Sequence, residues 1–324
     1  IKSEFSENIL FKLPEFIPAD IKDESLEKNE SDGVSFYKMK FSGDNLAFDT
    51  EMNVAVRNIG PDRGNLCVIS LDSSFDEKSD LSRVREYNGQ TYDRERNDNR
   101  AWWQNFYEKS SFASSDKFLE MNWYASQYLL AVCALNKDFP PGLYGNFITV
   151  NRVNWKGDYH LNYNYQGSFY GAYSSNHTEL TDCYSAPIFD MRERGRQFAE
   201  KFLNQHGVFY PVGIGPKGML TEKSDDVWEK MFLGQRSNAI HSADIMVMRW
   251  YATYDKEYAQ KIYPFFLDVA AFWEGYLVNR GGVYNVVGDA VHEIPYYKDD
   301  FDPKEYDEKI HEENNLLSLG LLSV

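Results

Sequence analysis

Between residue 34 and residue 115 the hydrophobic period of this chain changes, and that change limits what it can fold into. "VSFYKMKFSG" from Val34, "LAFDTEMNVAVRNIG" from Leu46 and "NLCVISLD" from Asn65 alternate apolar with polar residues and are separated by Gly, Asn and Asp. Successive side chains of a strand point to opposite faces, so this alternation predicts antiparallel strands with one solvated face. From Ser115, read as an N-cap, Phe118, Met121, Ala125, Tyr128, Leu129 and Val132 recur at helical spacing before Pro140-Pro141-Gly142. They predict one inward helix face.

Further helical stripes follow. One runs from Thr178 through Leu180, Tyr184, Ile188, Met191, Gly195, Phe198 and Phe202. The next starts near Asn238, with Ile240, Ala243, Val247, Trp250 and Tyr251 inward. Asp255 and Pro264 are expected to open two more segments, the second carrying Phe265, Val269, Phe272 and Tyr276, and a Leu-rich helix is expected near Glu313. Strands first and helices afterwards argue for separate domains rather than a βαβ sheet. The expected organisation is α+β and multidomain: a β-sandwich-like region over 1–75, a charged linker with a Trp pair over 76–114, and a helical domain over 115–324. Residues 76–100, "DEKSDLSRVREYNGQTYDRERNDNR", read as solvated linker because they are almost purely charged.

The 324 residues include 34 basic and 50 acidic side chains, a net charge of −16. Such a field repels polyanions, which argues against nucleic acid or anionic membranes as partners and leaves neutral ligands unaffected. No apolar run approaches membrane-spanning length. The first residues, "IKSEFSENILFKLPEF", lack the basic-then-apolar pattern of a signal peptide. The three cysteines, Cys67, Cys133 and Cys183, are widely spaced and read as buried small hydrophobes. Nucleophile-elbow, Walker and zincin motifs are lacking, and the six His show no ligand spacing, so neither metal nor cofactor is expected.

Two stretches carry candidate chemistry. "NWKGDYHLNYNYQGSFYGAY", 154–173, is a Tyr- and Asn-rich connection between helices. Asn162 and Asn164 are two residues apart, so an extended backbone would point both amides one way, with His160 beside them. Two such amides can grip vicinal hydroxyls, each offering donor and acceptor, and flat aromatic faces with polar edges suit stacking on sugar rings as well as packing a large core. The competing reading is that these side chains satisfy loop backbone groups and pack the mouth of the helical barrel. In "VVGDAVHEIPYY", 286–297, Glu293 follows His292 and precedes a Pro and two Tyr. An aromatic, partly dry setting raises a carboxyl pKa, as a general acid for glycosidic cleavage requires. An exposed loop charge is the alternative for Glu293, and Asp289 is the neighbouring candidate acid. Asp299, Asp300 and Asp302 read as a solvated loop, lacking calcium-loop spacing.

Taken in order, "RAWWQNFYEKSSF" (100–112), "PPGLYGNFI" (140–148), "WKGDYHLNYNYQGSFYGAYSSNHTEL" (155–180), "PIFDMRERGRQFAEKF" (187–202) and "YDKEYAQKIYPFFLDVAAFWEGYLV" (254–278) carry a resemblance. They resemble the six-hairpin glycosidases, most closely glycoside hydrolase family 95, the inverting α-L-fucosidases and related α-L-galactosidases. The resemblance covers roughly residues 100–324. It implies an (α/α)6 toroid as catalytic domain, of which this chain would supply about half. It also implies Asn162 and Asn164 as the residues that position the attacking water, and Glu293 as the acid. The implied substrate-binding residues are Trp155, Asp158, Tyr159, His160, Gln166, Tyr144, Asn146 and His292. A partner aspartate would lie beyond Val324, and the second half of the barrel would be a partner. The implied activity is inverting hydrolysis of a terminal sugar from oligosaccharides, in an exported bacterial protein. The run Tyr165–Gly171 departs from the acidic, Met, Asn, Tyr-Trp-Pro pattern of the family. That departure keeps a carbohydrate-binding pseudoenzyme on the same barrel as the alternative.

Overall fold

The computed structural model describes residues 2–3, 25–43, 47–59, 65–76, 83–150, 153–221, 235–286 and 289. Glu293, His292, the acidic run at 299–302 and the Leu-rich stretch after 313 lie outside the described residues. The chain forms two compact units, the first up to Glu108 with a short piece around residue 150, the second comprising the rest.

The first unit is built on an antiparallel sheet of β1 (Lys2–Ser3), β2 (Ser25–Ser31), β3 (Val34–Phe41), β4 (Thr50–Ile59) and β5 (Asn65–Ser73), in the order β1-β5-β4-β3-β2. Its register places Phe36 opposite Ala55 and Val56 opposite Ile69. The three alternating stretches form β3, β4 and β5. The expectation of one solvated face needs correction, because Val54, Ala55 and Val56 are buried in succession. On one face Val34 and Ala55 pack with Val84 of α1 (Arg83–Glu86), and on the other Val54 and Val56 pack with Cys67. Arg57 fixes α1 by donating through Nη1 to the carbonyls of Val84 and Tyr87, each at 3.3 Å, and of Arg85. A guanidinium there meets the negative end of the helix. Strand β2 escapes the pattern because its SLEKNES sequence is that of a charged sheet edge.

Within the stretch read as a linker, α2 is a 20-residue helix, Gly89–Glu108. The Asn88 side chain starts it, accepting from Gln90 N at 2.9 Å and Thr91 N at 3.1 Å. Only Phe106 is buried, so no apolar stripe betrays the helix; long charged side chains simply lose little rotamer freedom there. Trp102, Trp103, Phe106 and Tyr107 form an aromatic cluster at its end.

The second unit begins with α3 (Lys117–Ala134), capped by Asp116 rather than Ser115, with Asp116 Oδ1 accepting from Phe118 N at 2.9 Å. Its inward face is also corrected. Gln127, Ala131, Cys133 and Ala134 are buried, whereas Phe118, Met121, Tyr128 and Leu129 are exposed. Next come a 3-10 turn over Asn154–Gly157, β6 (Tyr159–His160), α4 (Asn164–Gly167), α5 (Tyr170–Ser174), α6 (Ser185–Asp190), α7 (Arg192–Leu203), β7 (Gly213–Ile214), α8 (Asn238–Thr253) and α9 (Lys256–Tyr276). A short hairpin of β8 (Val278–Arg280) and β9 (Val283–Asn285) follows.

Helix α8 is buried nearly all round from Asn238 to Val247, which makes it the central element of this unit, although Tyr251 at its far end is exposed. The two segments expected after Asp255 are one 21-residue helix with Pro264 inside it. A proline costs one backbone hydrogen bond in a helix interior. Here Ile262 on one side of the proline and Phe265, Val269, Phe272 and Trp273 on the other bury one continuous face. The carbonyl of Pro264 accepts from Arg192 Nη2 at 2.9 Å, tying α9 to α7. All three cysteines are free and buried, as the sequence reading has them.

Candidate functional site

The connection 153–168 turns sharply at its start. Trp155 (φ 49°), Lys156 (φ 56°) and Gly157 (φ 66°) are consecutive left-handed residues. That conformation costs a non-glycine residue about 1–2 kcal/mol. Such strain persists only where surrounding structure holds it, and it is common at functional loops. The holding contacts are visible. Leu143 N donates to Asp158 O at 2.9 Å, and a Cβ on Gly142 would collide with the Gly157 carbonyl. Lys156 Nζ donates to Thr221 O. The turn leaves the Trp155 ring 58% exposed, with its centroid 6.0 Å from that of His160. Tyr144 is half-exposed beside Gly157.

Beyond the turn, β6 pairs with β7, Tyr159 opposite Ile214 and His160 opposite Gly213, and Leu161 N extends the pairing to Val212 O at 2.7 Å. This register directs Asp158 and His160 into a buried pair, His160 Nδ1 lying 3.1 Å from Asp158 Oδ1. Burial pushes the Asp158 carboxyl above the usual carboxylate range, and the hydrogen bond and charge of His160, with Lys156, pull against that rise. Gly213 is required by proximity: a Cβ there would strike the Asp158 carboxylate and lie 2.6 Å from Thr221 Oγ1.

Asn162 is 5% exposed, and among the described residues neither its Oδ1 nor its Nδ2 has a hydrogen-bond partner. A buried primary amide with both ends unsatisfied is costly and rare, and it marks a place where water or a ligand hydroxyl completes the site. The extended backbone expected across Asn162 and Asn164 is replaced by a turn, with Tyr163 at φ 156° and Asn164 opening α4. Asn164 is consequently exposed while Asn162 is buried, so the two amides do not share one strand face.

Gln166 is fully buried, and its Nε2 donates to Leu161 O at 2.7 Å, bracing the turn that carries Asn162. Tyr159 packs inward, 5.2 Å from the Tyr165 ring. Most tyrosines of this stretch are core pillars rather than walls of an open pocket. Each sends its phenol to a specific acceptor: Tyr165 to Tyr184 O at 2.7 Å, Tyr170 to Asp244 Oδ2 at 2.6 Å and Tyr173 to Ile245 O at 2.6 Å. Burial drives the Tyr173 phenol up to about 12. Tyr163 is the exposed exception. Asn146 turns away toward α3, its Nδ2 donating to Val132 O at 3.3 Å. Asp289, the alternative acid, is buried and accepts from Arg236 N at 2.7 Å.

The structure therefore brings Trp155 beside His160 and His160 onto Asp158, with Tyr144 alongside the turn and Asn162 two residues further along the chain, and assigns Gln166 and Tyr159 to its support. Sequence reading missed Gly213 and Thr221. The run "VFYPVGIG" at 208–215, apolar and bounded by glycine, was the available signal for a short buried strand. Among the described residues, no group of three or more His, Cys, Asp or Glu side chains is placed to hold a metal. No described helix is long and apolar enough to cross a membrane.

Compared with known families, residues 81–307 match the glycosyl hydrolase family 95 catalytic domain. No curated protein matches the chain.

Proposed function

The chain belongs to glycosyl hydrolase family 95, and on that premise we propose that it hydrolyses a terminal α-L-fucoside or α-L-galactoside of an oligosaccharide with inversion. The observation that carries this reading is the buried amide of Asn162, doubly unpartnered among the described residues. Its Oδ1 can accept from an attacking water, and its Nδ2 can donate to a sugar hydroxyl. In the proposed mechanism Asn162 and Asn164 position that water, whose proton passes to a carboxylate base as its oxygen bonds the anomeric carbon, while Glu293 protonates the leaving oxygen as the glycosidic bond breaks. The exposed Trp155 ring stacks on the sugar, and His160, with its tautomer set by Asp158, meets a hydroxyl. Inversion needs the acid and the water-holding group about 6.5–9.5 Å apart. The proposed setting is an (α/α)6 toroid preceded by a β-sandwich-like domain.

The test is release of monosaccharide from aryl α-L-fucosides and α-L-galactosides, with NMR detection of the first-formed anomer. The inverted anomer is expected, and Glu293→Gln should abolish turnover of substrates with poor leaving groups. Retention of configuration would refute the mechanism.

One observation favours a second reading. Asn164 stands exposed across the Tyr163 turn from Asn162, which suits a carbohydrate-binding pseudoenzyme better than a shared grip on one water. Saturable sugar binding without turnover, equal in the wild type and Glu293→Gln, would select it.

A further inference from the structure

Helix α3 and the α4–α5 segment line an open cleft of ≈ 600 Å³ that neither Asp158 nor His160 borders. We propose that it is a subsite for a neutral carbohydrate chain, an inference that rests on the glycosidase reading for the kind of ligand supplied. The cleft has one built polar anchor. Gln127 is 7% exposed, its Oε1 has no partner among the described residues, and its Nε2 donates to Trp123 O at 3.4 Å. Leaving a buried acceptor unsatisfied is unfavourable, so a donor from outside is the natural complement.

The rest of the wall is largely apolar, Leu119, Leu130 and Leu180 among it, with serine hydroxyls set into it. Ser168 Oγ donates to Asn164 O at 3.3 Å, Ser174 Oγ to Gly171 O at 3.2 Å, and Ser126 Oγ to Asn122 O at 2.8 Å. Those hydroxyl protons are spent on the backbone, so the oxygens face a ligand as acceptors. Trp123 and Phe112 add aromatic faces, their ring centroids 5.8 Å apart and tilted by 32°. A ligand rich in donors, with apolar C–H faces and no charge, satisfies all of these features at once, and a sugar ring is such a ligand. Among the described residues, no charged side chain lines the cleft. The net charge of −16 further disfavours an anion.

Two glycines keep the cleft open without any backbone need for glycine. A Cβ at Gly171 would meet nothing within 4 Å, and one at Gly167 would make only an ordinary contact with Tyr163 at 3.5 Å. Neither has a positive φ, so a larger residue could occupy either position at no conformational cost. Helix α4 begins at Asn164 and ends at Gly167 in the cleft wall. One helical turn, about 5.4 Å, thus links the cleft to the candidate catalytic residues. A chain extending from the reacting sugar could continue into it.

Calorimetric titration would use neutral gluco-, galacto- and fuco-configured oligosaccharides of two to six units, with uronic-acid oligomers of equal length as charged controls. The wild type is expected to bind a neutral oligomer. Gly171→Leu, which fills the cleft, and Gln127→Leu, which removes the acceptor, should each weaken that binding at least tenfold. Turnover of aryl monosaccharides, too short to reach the cleft, should stay unchanged in Gly171→Leu. If aryl glycosides are not turned over at all, the hydrolase reading fails, while the titrations still decide the cleft. The subsite is overturned if no neutral oligomer binds, or if both variants bind as the wild type does. It is equally overturned if filling the cleft instead abolishes self-association of the protein.

Discussion

His160 and Asp158 form a buried pair, Nδ1 to Oδ1 at 3.1 Å, on the short strand pairing that also sets the position of Asn162. Burial is the largest influence on this carboxyl and raises its pKa, so the folded state holds the Asp158 proton more tightly than the unfolded state does. The stabilising contribution of the protonated acid is thus complete below the ordinary value of about 3.9 and is lost as pH rises through the folded value. Asp158→Asn removes the charge and keeps an acceptor for Nδ1. Its melting temperature should equal or exceed that of the wild type at pH 7, with the difference closing near pH 4. Asp158→Ala removes the acceptor as well and should lose about 1–3 kcal/mol. Thermal unfolding of the three proteins at both pH values checks this; an Asn variant as weak as the Ala variant at pH 7 would contradict it.

Helices α7 and α9 are joined through one carboxylate. Asp268 accepts from Arg192 Nε through Oδ2 and from Arg196 Nη2 through Oδ1 at 2.9 Å. The pairing raises the Arg196 pKa. Hydrogen bonds to charged groups contribute about 1.5–3 kcal/mol. Asp268→Ala should therefore destabilise by about that much, whereas Arg196→Ala, at an exposed position, should cost less than about 1 kcal/mol. Urea unfolding with an unchanged denaturant slope measures both. Equal losses would mean that the exposed arm carries the clamp.

Much of the fold was legible because it rests on periodicity. Strands β3 to β5 follow from apolar spacing. The stripe expected as one helix from Thr178 to Phe202 does bury Leu180, Tyr184, Ile188 and Met191, but the chain breaks it into a 3-10 turn over Thr178–Thr181, α6 and α7. What escaped has physical causes. Helix α2 is held by a cap and by side-chain propensity, with Phe106 its only buried residue, so its composition resembles a linker. The α3 stripe is apolar yet exposed, and spacing identifies a face without saying what covers it. At the site, Asn162 and His160 were marked by residue type, and Asp158 and Trp155 by the family resemblance. The left-handed turn at Trp155 and Lys156 was not, because neither is a residue that favours positive φ. The tyrosines misled because a phenol satisfied by a backbone carbonyl and a phenol facing a ligand have the same sequence signature.

Two helical glycines should respond oppositely to alanine. At Gly195 a Cβ would lie 2.7 Å from Tyr210 Cδ1, and that ring is fixed by burial and by its hydroxyl's bond to Ile188 O at 2.6 Å. Overpacking a core in this way costs about 1–3 kcal/mol, more than the helix propensity that alanine restores. Gly171 has open space around its position, so Gly171→Ala should stabilise by up to about 1 kcal/mol. Differential scanning calorimetry of both variants gives the signs directly. A stabilised Gly195→Ala protein would show that Tyr210 can move aside.

Asn162→Ala separates a catalytic amide from a structural one. An amide that braced the loop would lose its partners on truncation and the protein would weaken. Here neither amide atom has a partner among the described residues, so truncation removes an unmet demand and stability should hold or rise slightly. Activity should behave the other way. If Asn162 positions the attacking water, turnover of aryl glycosides should fall roughly 10²- to 10⁴-fold, the range for removing a positioned acid–base group. KM should change little, because Trp155 and His160 remain to bind the sugar. Asn164→Ala, at the exposed end of α4, should fall as far only if that amide also reaches the water. Steady-state kinetics beside thermal unfolding decide the matter: a variant that is both less stable and still active would assign Asn162 to the architecture of the loop.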